Sequence, residues 1–155
     1  MKAIEKIIES ARNNPKKIVL CEAQDKRILN ASLKAHQLGV AEIILVGSNK
    51  DLEAQALAQG LSLTGLTLIC IDDSPLTKPL SKALYELRKH KGISQQDAEA
   101  LIRQPIIFAS MLVREGYADG LVAGSVYTTA DVVRNALQLI SNKKADHTGS
   151  SLCTR

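Results

Sequence analysis

The residues best suited to chemistry lie in the stretch 118–140, where a short apolar strand runs through a small-residue turn into a capped helix. Gly124 lets the backbone come close to a ligand, and Thr128 or Thr129 can cap the helix. The first amides of such a helix lack partners within it and attract anions. Arg134 follows just over one turn later. The pattern indicates a phosphate or coenzyme pocket.

The same residues also fit a purely structural explanation. A tight turn, a threonine cap and an ion pair between Asp131 and Arg134 on the solvent face would produce this pattern without any ligand. Residue types alone favour this simpler explanation, because many solvated arginines occupy similar places. Both interpretations stay open at this level.

The densest basic cluster, Arg88–Lys91, precedes Gly92, which is expected to end a helix. Cations in a last helical turn stabilise the helix dipole by about 0.3–1 kcal/mol each, which is a sufficient structural reason for the cluster. The functional alternative is that Arg88 binds a phosphate, because a guanidinium group stays charged and donates two parallel hydrogen bonds.

Polar residues follow the first predicted strand. Glu22, Asp25 and Arg27 could orient a substrate or one another, and Asp25 also suits the N-cap of the next helix. Cys21 has no histidine near it in sequence, so we interpret it as a small buried residue rather than a nucleophile.

The common nucleotide motifs are absent from the sequence. It contains neither a Gly-x-Gly-x-x-Gly opening a helix nor a Gly-Lys-Ser/Thr phosphate loop, which argues against ordinary dinucleotide dehydrogenases and P-loop enzymes. The histidines are too scattered in sequence to suggest a metal site or a catalytic triad. They are His36, His90 and His147.

The elements that must position these residues alternate between strand and helix. Apolar strands are predicted at 17–21, 42–46, 66–71 and 120–122, with helical patterns between them. This alternation predicts an α/β fold of three layers, with a mainly parallel sheet covered by helices on both faces. Ligands of such sheets bind at the carboxyl ends of the strands. Apolar periodicity stops near residue 140, so we expect one domain, 1–140, and a polar tail, 141–155.

Composition narrows the class of partner. The formal net charge of +4 is mild, and the aromatic fraction of 3% is low, so a surface for single-stranded nucleic acid is not expected. No apolar run approaches transmembrane length, and no secretory leader follows Met1. Three cysteines form no metal-binding pair, and their odd number argues against a disulfide framework. A soluble protein of the reducing cytoplasm is the expectation.

Several stretches together resemble the phosphate acetyltransferase (phosphotransacetylase) family, with phosphate butyryltransferases as more distant relatives. Cys21–Arg27 resembles the Pro-Glu…Asp-x-Arg strand end of that family, and 43–47 resembles its second strand. Tyr85–Gly92 is similar to its Tyr-Glu-Leu-Arg-Lys-x-Lys-Gly signature. Gly124–Ala136 is similar to its Gly-Ala-x-His-Ser-Thr-Ala-Asp-x-x-Arg-Pro-Ala motif. The resemblance covers about 1–140 and does not extend into the tail.

The resemblance implies an enzyme that exchanges an acetyl group between coenzyme A and inorganic phosphate. On the matched positions it implies that Arg88 and Arg134 contact coenzyme A or substrate phosphate, and that Gly124, Thr128 and Thr129 shape the pocket. Guanidinium groups and a helix N-terminus can hold phosphate without a metal. Coenzyme A, acetyl-CoA, phosphate and acetyl phosphate are therefore expected as substrates, with no metal and no bound cofactor. The family forms dimers, which makes a homo-oligomer the expected state.

The sequence also departs from the family pattern. Ala123 stands where the family often has Ser, Tyr127 where it has His, and Asn135 where Pro usually follows the arginine. Family members are longer, and their catalytic Asp lies in a C-terminal half that has no counterpart here. No residue of this chain is therefore assigned as the general base.

Three hypotheses follow. The first is an N-terminal portion of a phosphate acetyltransferase, whose sheet is incomplete relative to the full family fold and which lacks the catalytic base. The second is a non-catalytic module of the same fold that binds a phosphorylated ligand or a partner protein. The third, more remote, is the acetyltransferase-like appendage of a malic enzyme.

Overall fold

The computed structural model of the chain describes residues 2–47 and 52–140, so the predicted polar tail, 141–155, lies outside the described residues. Helices and strands alternate along these residues as the sequence predicts. In chain order they are α1 (Lys2–Asn13), β1 (Lys16–Leu20), α2 (Lys26–Leu38), β2 (Ala41–Gly47), α3 (Leu52–Ala58), β3 (Thr67–Cys70), α4 (Thr77–Arg88), α5 (Gln95–Leu101), α6 (Pro105–Arg114), β4 (Gly120–Val122) and α7 (Thr129–Asn135). A short 3₁₀-helix, Lys89–Lys91, follows α4, and a π-helical turn, Ala136–Ile140, follows α7.

Local signals set the helix boundaries. The Asp25 side chain caps α2 by accepting a hydrogen bond from the Arg27 amide, and Gly39 ends that helix with a φ of 68°. Ser94 and Asp97 form the reciprocal capping box predicted for α5, and Pro105 lies in the first turn of α6. The α-helical part of α4 ends at Arg88, earlier than the predicted end at Gly92, because the chain tightens into the 3₁₀-helix there.

The four strands form one parallel sheet in the order β3-β2-β1-β4. From β1 the chain adds β2 and β3 on one side and then returns to the other side of β1 as β4. This reversal is a topological switch point, where the helices that leave the two strands diverge and open a crevice. Leu20 of β1 lies opposite Val122 of β4, so the residues after these two strands meet at the crevice.

Helices cover both faces of the sheet, which confirms the predicted three-layer α/β arrangement. One core combines Val19 and Cys21 with α4, α6 and α7, and includes Phe108, the chain's one phenylalanine. The other core combines Leu20 and Leu45 with α2 and α3. Neighbouring residues of β1 belong to opposite cores because successive side chains of a strand point to opposite faces.

Helix α1 differs from the other helices because none of its residues is buried. Its apolar stripe predicted a helix correctly, yet Ile4 and Ile7 are 57% and 68% exposed. Its C-terminal end is tied to α2 through Arg12, whose Nε donates a 2.7 Å hydrogen bond to the Leu38 carbonyl. The described core therefore gains little from α1.

Candidate functional site

The crevice between β1 and β4 brings together the polar residues that follow these strands. Glu22 comes two residues after β1 ends, and Gly124 comes two residues after β4 ends. Because the two strands are parallel neighbours with Leu20 opposite Val122, both residues emerge at the same carboxyl edge. This edge also holds the loop 124–127, called here the switch loop, which leads into α7.

The Glu22 carboxylate binds four backbone amides of the switch loop. Its Oε1 accepts hydrogen bonds from the amides of Gly124 (3.0 Å) and Ser125 (3.1 Å). Its Oε2 accepts from the amides of Tyr127 (2.8 Å) and Val126. Consecutive amides that converge in this way form an anion-binding nest, and here the anion belongs to the protein itself. These amides are therefore held by Glu22 rather than left open to an external anion, while Gly124 and Ser125 still line a cavity.

Burial makes this contact a strong one. Glu22 is only 1% exposed, and an uncompensated carboxylate at such a position would cost several kcal/mol. Hydrogen bonds to charged groups are worth about 1.5–3 kcal/mol each, so the four amides can offset that cost. The end of β1 and the switch loop are thereby locked together across a separation of 102–105 residues.

A second set of polar contacts supports the same loop from outside. The Ser125 hydroxyl donates to Asp25 at 3.1 Å, and Arg27 donates to the Ser125 carbonyl at 3.4 Å. Arg27 and Asp25 form an ion pair of 2.7 Å. Hydrogen bonds from the Arg27 guanidinium and amide hold the pKa of Asp25 well below its usual range, and the same contact raises the pKa of Arg27. The sequence left open whether these polar residues orient a substrate or one another. In the structure Asp25 and Arg27 bind each other, and Asp25 also caps α2.

A cavity of about 250 Å³ lies at this crevice. Glu22 and Thr129 are among the residues that line it. The lining is otherwise small or apolar and contains no Lys or Arg. The lining residues are Glu22, Ile28, Val122, Ala123, Gly124, Ser125, Thr129 and Val132. A cavity with this lining suits a small neutral group.

Helix α7 begins beside this cavity. The Thr128 side chain accepts a 3.1 Å hydrogen bond from the Asp131 amide, so Thr128 rather than Thr129 is the cap. Arg134 donates to Asp131 at 3.1 Å and is 60% exposed, which is the ion pair of the structural alternative. Exposed pairs of this kind contribute about 0–1 kcal/mol, so a phosphate could replace Asp131 as the partner of Arg134 at little cost.

Arg88 belongs to a different helix from Arg134. Helix α4 starts beside the carboxyl end of β3, where the Thr77 hydroxyl donates to the Ile71 carbonyl. Arg88 is the last residue of α4, about 17 Å further along the helix axis. It is half-buried, and its side chain has no hydrogen-bond or ion-pair partner among the described residues. Gly124, Thr128, Thr129 and Arg134 share the switch loop and the helix that follows it, whereas Arg88 ends α4.

Two further groups beside the crevice have raised pKa values. Burial, together with the neighbouring Glu22 charge, raises the pKa of the Cys21 thiol to about 12. Cys21 is 1% exposed, which confirms the interpretation of a small buried residue rather than a nucleophile. Partial burial also raises the pKa of Tyr127, the residue that stands in place of the family's His. Both groups are neutral near pH 7.

No group of three or more His, Cys, Asp or Glu side chains in the described part of the chain could hold a metal ion. None of the helices in residues 2–47 and 52–140 is long and apolar enough to span a bilayer.

From its sequence position Glu22 is only a polar residue at a strand end, and its contact with the switch loop was not predicted. The available signal was an acidic residue directly after one strand and a Gly-Ser turn directly after another. Strand order, which determines whether the two meet, is not encoded locally.

By its fold the chain is a parallel α/β protein, and it has a cavity at the switch point between β1 and β4, where proteins of this class bind ligands. The family model described as "Phosphate acetyl/butaryl transferase" matches residues 2–154. The chain belongs to this family, of which it represents an N-terminal portion.

Individual relatives agree with that assignment. The phosphate acetyltransferase of Clostridium acetobutylicum is 38% identical over 140 residues, which are 90% of this chain and 42% of that protein. A phosphotransacetylase structure from Streptococcus pyogenes has a TM-score of 0.77 at 30% identity, covering 88% of this chain and 42% of that one. The EutD phosphotransacetylase of Staphylococcus aureus has a TM-score of 0.81 at 29% identity, covering 94% and 45% respectively. The chain thus spans less than half the length of these relatives.

Proposed function

We propose that this chain supplies the coenzyme A and phosphate contacts of a phosphate acetyltransferase. In that reaction an oxygen of inorganic phosphate attacks the thioester carbonyl of acetyl-CoA, the carbon–sulfur bond breaks, and acetyl phosphate and coenzyme A are released. The observation that carries the proposal is the pocket at the β1–β4 crevice, with Arg134 on the adjoining helix, in a chain of this family.

The charges at the crevice indicate which part of the substrate each residue contacts. The cavity has no cationic lining, so we assign it the neutral part of the substrate, shaped by Gly124 and Thr129. Arg134 is exposed and weakly paired, so we assign it a phosphate group. Thr128 contributes by fixing the start of α7.

Arg88 remains a proposed contact on the strength of its motif. Arg88 ends α4 and Arg134 lies on α7, so we propose that the two arginines contact the ligand from different helices. Coenzyme A is a long molecule with three phosphate groups, so two separated arginines can each engage one of them.

The described residues offer no general base at the pocket. Both Glu22 oxygens accept hydrogen bonds, Asp25 is ion-paired, and Cys21 is protonated at neutral pH. We therefore expect the chain to bind coenzyme A without efficient turnover, and expect a supplied C-terminal half of a family member to provide the missing group. Thiol release from acetyl-CoA in the presence of phosphate measures both states, and rapid turnover by the chain alone would refute this expectation.

Titration calorimetry with coenzyme A tests the binding assignment. Replacing Arg134 by Ala removes charge-assisted hydrogen bonds worth about 1.5–3 kcal/mol, which corresponds to a roughly 10- to 150-fold weaker Kd. Arg88→Ala should weaken binding as well. Arg103→Ala is the matched control, because Arg103 is an exposed arginine paired with Asp72 that neither lines the crevice cavity nor belongs to a family motif. If all three variants bind coenzyme A with the same Kd, neither Arg134 nor Arg88 is part of the binding site.

We also propose that the chain associates with itself through the outer edge of the sheet. Within the described residues β4 pairs only with β1, and Tyr117, Val122 and Val126 near it are 43–56% exposed. Unpaired edges and exposed apolar side chains both favour association. Light scattering over a dilution series measures this, and a stable monomer at all concentrations would count against it. For compartment we propose the reducing cytoplasm, because the three cysteines of the sequence, an odd number, argue against a disulfide framework.

A further inference from the structure

We propose that Glu22 is a positioning residue, whose buried carboxylate holds the switch loop in the conformation that the ligand requires. Glu22 makes no contact with the reacting atoms in this role. It acts through the pocket wall at Gly124 and Ser125 and through the start of α7. The inference deepens the proposed function and rests on it.

Most of the switch loop has little apolar packing. Gly124 and Val126 are exposed and Ser125 is half-buried, whereas Tyr127 packs against the core and has a hydrogen bond with the Ile106 backbone. A segment with few buried apolar contacts opens easily unless polar contacts hold it. For residues 124–126 these contacts are the amide hydrogen bonds to Glu22 and the contacts of Ser125 with Asp25 and Arg27. The order of this part of the loop therefore depends on the Glu22 carboxylate more than on hydrophobic burial.

Glu22 also determines what the loop can recognise. Because its two oxygens engage the amides of 124–127, those amides are withdrawn from substrate phosphate. Recognition of phosphate then falls to side chains such as Arg134, whose position depends on where α7 begins. A loosened switch loop would displace both the cavity wall and α7, and so reduce ligand affinity without removing any ligand contact.

Glu22→Gln is the main test, in this 155-residue chain. Each Glu22 carboxylate oxygen accepts hydrogen bonds from two backbone amides. Glutamine has the same size, but its side-chain nitrogen is a donor, so it cannot accept the two hydrogen bonds that one of these oxygens accepts. We expect amide hydrogen exchange at 124–127 to accelerate at least about tenfold and the Kd for coenzyme A to rise at least about tenfold, with unchanged far-UV circular dichroism. Glu42→Gln, an exposed position on β2, makes the same charge change and should alter neither quantity. If Glu22→Gln does not fold, Glu22→Asp replaces it, since it keeps the charge but lacks the reach.

A rescue experiment separates positioning from a general loss of structure. Glu22→Ala vacates the nest, and formate is a carboxylate small enough to enter it. We expect formate to restore much of the coenzyme A affinity of folded Glu22→Ala, and chloride at equal ionic strength to have no such effect. Failure of formate to restore affinity would overturn the claim that a carboxylate in the nest sets the ligand affinity.

The outcomes distinguish this inference from the function on which it rests. Absence of coenzyme A binding by the wild-type chain refutes the proposed function and the positioning role with it, before any variant is compared. If the amides of 124–127 exchange in Glu22→Gln at the wild-type rate, Glu22 does not hold the switch loop, and the inference is overturned. Faster exchange with an unchanged Kd would leave Glu22 a structural residue and overturn its positioning role.

Discussion

Gly124 is the residue whose replacement most directly tests the conformation of the switch loop. Its φ is 120°, a region that residues with a side chain rarely adopt. A Cβ added there would meet no heavy atom within 4 Å, so Gly124→Ala introduces no steric clash. The cost is therefore one of backbone conformation, which is about 1–3 kcal/mol for a residue held in a sparsely populated region.

Thermal unfolding followed by circular dichroism measures this cost. For a domain of this size, 1 kcal/mol lowers the Tm by about 2–4 °C, so we expect a decrease of about 2–12 °C. The chain can also relieve the strain by rotating φ, and the Gly124 amide would then turn away from Glu22. We therefore expect faster hydrogen exchange at the neighbouring amides and weaker binding of coenzyme A.

Gly39→Ala provides the matched control. Gly39 also has a positive φ, 68°, with no heavy atom within 4 Å of the added Cβ, but it ends α2 and is not part of any proposed ligand contact. Its cost should be about 1–2 kcal/mol, with coenzyme A affinity unchanged. An unchanged Tm for Gly124→Ala would refute the reasoning, because it would show that the folded loop does not need the positive φ. Equal losses of affinity in both variants would show a global rather than a local effect.

Three other outcomes are expected. Thr128→Ala should lower the free energy of unfolding by about 1 kcal/mol in urea titrations, because the Asp131 amide loses its hydrogen bond to the Thr128 side chain. Thr128→Ser should retain most of that stability, and equal losses in the two variants would contradict the capping role. Because Arg27 lowers the pKa of Asp25 in the folded state, that contact stabilises the fold above the ordinary pKa near 3.9 and is lost as the pH falls below it. Asp25→Asn should therefore show a shallower loss of stability between about pH 5 and pH 2, and an unaltered pH profile would speak against the contact. With the other two cysteines replaced by serine, Cys21 should react with a thiol reagent at about pH 8 only after unfolding, since burial raises its pKa to about 12; fast reaction of the folded chain would show that the thiol is accessible.

Much of the fold could be predicted because its determinants are local. Apolar runs bounded by Gly and Pro predicted all four strands to within a few residues, and Ser94, Asp97 and Pro105 marked helix starts through contacts a few residues long. A parallel sheet followed from the alternation of elements, since parallel strands need crossover connections. The family was predicted from short motifs that are themselves contiguous.

The candidate site was predictable only in part. Gly124, Thr128, Thr129 and Arg134 share one stretch of chain, so their proximity follows from sequence. Arg88 was assigned to the same site by its motif alone, and it lies on another helix, α4, so its distance from the other four does not follow from the sequence.

What the sequence by itself determined is the set of elements, their caps and the family, because hydrophobic periodicity and capping act over a few residues. Only the tertiary structure decided that β4 lies beside β1, and therefore that the Glu22 carboxylate meets the amides of a loop more than 100 residues away. That meeting depends on strand order and register, which arise from the packing of the whole sheet between its helices. The same contact changes the role of the switch loop, from a free anion-binding backbone to one already held by an anion of the protein.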